Sequence, residues 1–116
     1  MTAPAKYLFI ASMDVEPEKL DIFNEVYDTE HVPMLMKVPG VVEITRLTQE
    51  PLKLSMGGEI KEIVCEGEPH FAAYYWIESP DVLVSPEWAE AIEDGRWAEQ
   101  VRPYTKNRRH TLRKVM

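Results

Sequence analysis

A single cysteine, Cys65, stands among the 116 residues. No internal disulfide can form, and a lone thiol gives no zinc signature. Stability must come from a hydrophobic core, and one domain of this length hides roughly two-thirds of its unfolded surface. Glycine is scarce, with five in the chain. The one adjacent pair, Gly57-Gly58, precedes neither a lysine nor a helix start, so phosphate-loop and dinucleotide fingerprints are both missing. Long apolar runs are missing too. The first run is broken by Ser12 and Asp14, which leaves it too short for a signal-peptide core or a membrane span. A cytoplasmic protein with no membrane partner is expected. The three histidines, His31, His70 and His110, lack paired ligand spacing, so no metal and no cofactor is expected.

Acid is absent from the last stretch. Residues 1–99 hold seven of the 13 basic residues and all 20 acidic ones, a net of −13, whereas residues 100–116 hold six basic residues, a net of +6. A basic tail can signal nucleic acid. Here it alternates like a strand on an acidic domain, and the overall charge of −7 repels polyanions. Its charges are expected to meet the chain's own carboxylates, with no nucleic-acid partner.

What is present is a pattern of short strands and helices. KYLFIASM (6–13), VVEITRLTQ (41–49), HFAAYYWIE (70–78) and RHTLRKV (109–115) read as strands. EPEKLDIFNEVY (16–27) reads as a helix, with Pro17 in its first turn and acids at its positive end. Continued at 100° per residue, its apolar stripe runs through Leu20, Phe23, Tyr27, His31, Met34 and Val38. Pro33 removes a helical hydrogen bond and predicts a kink or break around 28–32. Pro39-Gly40 has the chemistry of a type II turn. Residues 51–67 predict either a hairpin with Gly57-Gly58 at its tip or a flap centred there. Ser79-Pro80-Asp81 and Ser85-Pro86-Glu87 each predict a capped helix start, the second helix running over 86–94 with Gly95 as its C-cap. No internal repeat or low-complexity stretch stands out.

This order predicts an α+β fold: ferredoxin-like βαββαβ, a four-stranded antiparallel sheet with helices on one face, in a single domain over 1–116. The strands are apolar on both faces, so the uncovered face predicts a homodimer joined sheet to sheet.

FNEVYDTEHVPMLMKVPGVVEITR (23–46) resembles the segment carried by EthD-like proteins of the dimeric α/β-barrel superfamily. Tyr27, His31, Pro33, Pro39-Gly40 and Arg46 occupy the places of that family's Tyr-x-x-x-His-x-Pro pattern, Pro-Gly turn and strand arginine. The resemblance implies a ferredoxin-like dimeric barrel with a pocket between each sheet and its helices. Relatives of this kind include cofactor-independent oxygenases, isomerases, cyclases and dehydratases acting on small, often aromatic molecules. The chain departs from the pattern in its longer 51–67 segment and its basic last strand.

His31 is the centre of the expected site. An imidazole titrates near working pH and passes protons either way, and a carboxylate such as Asp28 would orient it. Tyr27 is the other candidate orienter. A guanidinium on an apolar strand face needs an acid or a ligand anion, so Arg46 either pairs with Asp28 or Glu30 or anchors a substrate. Tyr7, Tyr74 and Trp76 could line a pocket for a ring compound, with Tyr75 an equal candidate because pattern alone does not fix the strand's inward face. The functional expectation is a small proton-transfer enzyme acting on an aromatic or cyclic metabolite. The alternatives are a carrier or accessory protein with the same pocket, and a haem-handling protein of the same fold.

Overall fold

The computed structural model describes residues 2–116. A first strand, β1 (Tyr7–Val15), leads through a 3₁₀ turn (Pro17–Lys19) into α1 (Leu20–Val26). A π-helical turn (Tyr27–His31) joins α1 to α2 (Val32–Leu35) without breaking the helix. Then follow β2 (Val41–Thr48), β3 (Leu52–Met56), β4 (Glu59–Ile63) and β5 (Phe71–Ile77). The second helical region holds α3 (Pro86–Ala91) and another π-helical turn (Trp97–Val101), and β6 (Thr105–Lys114) closes the fold.

The main sheet has the order β2-β5-β1-β6, and every neighbouring pair is antiparallel. β1 and β2 are therefore parallel with β5 between them, and β5 and β6 are parallel with β1 between them. Each parallel pair is linked through helices, which is the split βαβ arrangement the sequence predicts. The segment 51–67 forms a separate β3–β4 hairpin. Gly57 and Gly58 supply the two positive φ angles, 66° and 84°, that its tight turn demands.

The core lies between the helices and one face of the sheet. Ala11, Met13, Ala73, Tyr75 and Ile77 meet Phe23, Val26, Leu35, Trp88, Trp97 and Val101 there. The antiparallel register pairs Phe9 with Tyr75 and Ala11 with Ala73, so these alternate residues all face the helices. Leu8, Ile10, Tyr74 and Trp76 point the other way and stay partly exposed, with no helix above them.

The expected break at 28–32 is instead a widened turn. The Val32 N–H donates to the Tyr27 carbonyl, five residues back, and Pro33 enters the following α-helical turn without needing a donor of its own. The wider turn also shifts the stripe. Tyr27, His31 and Leu35 are buried in four-residue steps, so Leu35 takes the inward place that constant helical phase gives to Met34. Leu20, at the head of the expected stripe, is exposed. α3 stops at Ala91, three residues short of the predicted end, and Gly95 adopts φ 70° just beyond. β6 begins at Thr105, earlier than predicted, by way of an irregular step that holds Asn107 at φ 52°. Ser79 and Ser85 cap their helices as expected, accepting from the backbone N–H of Asp81 and of Trp88, each at 3.1 Å. No helix among the described residues is long and apolar enough to cross a membrane.

Candidate functional site

A cavity of about 360 Å³ opens between the sheet and the helices. The strands give Phe9, Met13 and Tyr75 to its floor; the first helical region adds Tyr27 and His31, and the second adds Trp88 and Trp97. Glu93, Arg102, Arg108 and His110 form its polar side.

Local chain geometry sets the position of His31. The π turn carries Tyr27 and His31 one above the other, with ring centroids 5.1 Å apart and edge to face. The opposing π turn brings Trp97 flat against the imidazole, at 4.3 Å and 18° between planes. The imidazole Nδ1 is buried and has no hydrogen-bond partner among the described residues. Burial, and then the nearby Arg102 guanidinium, lower the His31 pKa to about 3. The ring is therefore neutral at ordinary pH.

Tyr27 and Tyr75 meet hydroxyl to hydroxyl at 2.9 Å. Burial pushes the pKa of both phenols up, so both remain protonated. One proton closes the mutual bond, and the accepting hydroxyl keeps its own proton free to donate elsewhere. Because both rings line the cavity, the pair can present one O–H to a bound molecule.

The charged groups are arranged asymmetrically. Arg102 is held by both carboxylate oxygens of Glu93, at 3.0 and 3.1 Å, and donates to the Ile92 carbonyl at 2.7 Å. Arg108 makes no hydrogen bond or ion pair among the described residues. His110 stacks on Phe9 at 5.8 Å, and its pKa is lowered by burial and by Arg108.

The residues expected from sequence fall into three places. His31, Tyr27 and Tyr75 come together in the cavity. Asp28 does not orient His31: its carboxylate points outward and takes Arg46 at 2.9 Å. Arg46 also donates to Asn24 at 2.9 Å and lies over the Tyr27 ring, 4.4 Å from its centroid, so it braces the tyrosine from behind the cavity wall. Glu30, the other acid considered for Arg46, binds Arg96. Tyr7 packs at the edge of the core under Lys114. Tyr74 and Trp76 lie on the opposite sheet face, because strand alternation that points Tyr75 inward must point its neighbours outward.

Sequence reading missed Trp97, Arg102, Arg108 and His110 as site residues. One signal was available. Tyr27 and Trp97 each stand six residues before a proline, Pro33 and Pro103, and each opens a π turn. This spacing echoes across the two halves although no longer repeat does. Among the described residues, no three His, Cys, Asp or Glu side chains gather where they could share a metal ion.

The crystal structure of an ethyl tert-butyl ether D (EthD) family protein from Bacillus halodurans C-125 matches 96% of this chain and 99% of its own, with a TM-score of 0.58 and 16% identity. The chain has an EthD-like fold. At that identity the likeness carries the architecture alone. No protein-family model and no curated protein matches the sequence. The cavity of this chain lies between the sheet and the helices, where the resemblance implied a pocket.

Proposed function

We propose that the chain is an enzyme that moves a proton on a small aromatic or cyclic molecule held between the sheet and the helices. One observation carries this reading: a neutral imidazole and a phenol pair with a spare O–H line the same small cavity. A carbon or oxygen acid bound there would give its proton to His31, and the oxyanion left behind would accept the tyrosine hydrogen bond. Burial and Arg102 make an imidazolium costly at this position, but a developing anion beside it would supply a counter-charge. The basicity of His31 therefore appears only with a substrate in place. Arg46 and Asp28 act as positioning residues through Tyr27.

The reading extends to assembly. The outward face carries Leu8, Ile10, Tyr74 and Trp76 at its centre, flanked by Glu43, Thr45, Thr111 and Arg113 on the edge strands, and a second copy of the chain covering it would give a dimeric barrel. The pocket then sits away from the joint, and the setting is cytoplasmic.

Proton transfer can be tested without knowing the full reaction. Cyclic ketones and phenols are incubated with the protein in D₂O, and exchange at their acidic C–H positions is followed by NMR. The wild type is expected to catalyse exchange on at least one compound class, and His31→Ala to lose at least about a hundredfold of that rate while remaining folded. Compounds that bind the wild type without exchange would leave a carrier protein instead.

A further inference from the structure

The cavity holds two arginines and one carboxylate. Glu93 is bound through both oxygens by Arg102, which also holds the Ile92 carbonyl, so that pair is complete. Arg46, Arg96 and Arg109 likewise each have a carboxylate partner. Arg108 lines the cavity without one among the described residues. It lies on the strand that carries His110, whose imidazole is stacked on Phe9 and brings no negative charge. Arg108 is an exposed residue, so it stands at the cavity mouth with its guanidinium open to water and to an incoming anion. The surrounding walls are flat: Trp97 and His31 lie face to face, and Phe9 meets Trp88 edge to face.

We infer that the ligand is a planar ring acid bound as its anion, with a carboxylate on Arg108 at the open side and the ring among Phe9, Trp88 and Trp97. This rests on the proton-transfer reading only in placing the ligand in this cavity. Arg108 supplies two parallel N–H donors that match the two oxygens of a carboxylate. The cavity is too small and too aromatic for a polyanion, which fits a single negative charge. Arg108 also biases what enters, because an acid gains the paired hydrogen bonds as well as the stacking, whereas a neutral ring leaves the exposed guanidinium to water and gains only the stacking.

Calorimetry with paired probes tests this. Benzoate and 2-naphthoate are each compared with the neutral amide of the same ring, on wild type, Arg108→Gln and Arg113→Gln. Arg113 is a same-charge control on β6 that does not line the cavity. The acids are expected to bind wild type about tenfold or more tighter than the amides, in line with a charge-assisted hydrogen bond. Arg108→Gln should erase that preference, and Arg113→Gln should keep it. Amides binding as well as acids, or a preference that survives Arg108→Gln, overturns the inference while leaving the pocket intact. Failure of every ring probe to bind overturns both the inference and the pocket.

Discussion

His31 pairs an aromatic contact with an unmet hydrogen bond. Stacking on Trp97 keeps the ring in place, while its Nδ1 sits buried without a partner among the described residues. The acid dependence of stability follows from this. An unfolded histidine takes up a proton near pH 6.5, whereas folded His31 resists one until about pH 3. Between those values the unfolded chain binds more protons, so stability falls as pH drops from about 6.5 toward 3. On going from pH 7 to pH 4.5 the wild type should lose on the order of 2 kcal/mol through this group. His31→Phe keeps a flat ring against Trp97 and removes the titration. Urea unfolding of the two proteins at both pH values decides the matter: parallel losses would mean that His31 is not the group responsible. That His31 faces inward was legible in the sequence, because it shares the apolar stripe of Phe23 and Tyr27 at helical spacing. The fate of Asp28 was not legible. Spacing put it beside His31, but a charged carboxylate near the surface prefers the Arg46 guanidinium, which only the folded sheet brings within reach.

Among the elements, the turns show how far local chemistry can be read. Pro39-Gly40 and Gly57-Gly58 both announced turns, and both glycine sites have positive φ, but their surroundings differ. At Gly40, with φ 92°, an added Cβ would fall 2.4 Å from the Val82 Cγ2, whereas at Gly58 it would meet open space. Gly40→Ala should therefore cost well over about 1 kcal/mol by thermal or chemical unfolding, and Gly58→Ala about 1 kcal/mol or less. Equal losses would show that backbone strain alone matters at Gly40. Pro33 announced a disturbance around 28–32 but not its π-helical form, because periodicity analysis assumes an even 100° per residue. A proline that removes one backbone donor is accommodated by widening the preceding turn, and the phase slips by one residue. That slip explains why Met34 was expected inside and Leu35 is found there.

At the scale of the molecule, the sheet and its helices make a slab only 19 Å along its shortest axis. Two layers bury one sheet face and leave the other to solvent or to a partner. Sheet order and layering were readable from element order and from handedness rules. The cavity's polar side was not, because Arg102, Arg108 and His110 come from a stretch whose basic pattern read as ordinary surface charge. Among the described residues, Arg102 and Arg109 meet carboxylates, Glu93 and Glu68, as that reading expected, whereas Lys106, Arg108, Arg113 and Lys114 make no ion pair, and of these four only Arg108 lines the cavity. If a second copy covers the outer face, light scattering should give twice the chain mass for wild type. Trp76→Glu should then shift the protein toward monomer, since a charge on that face would be buried without a partner. A wild type that scatters as a monomer at micromolar and higher concentration would sink the sheet-to-sheet dimer.

The matching turns at 27–33 and 97–103 divide the labour between the two halves of the fold. Each half contributes an aromatic ring, a widened turn and a proline at the same interval, so the cavity walls are built to one plan. Where the first half places His31, the second places Val101, which is fully buried. The titratable group is thus singular although its frame is doubled. One half carries an imidazole at this position, and the other carries an apolar side chain.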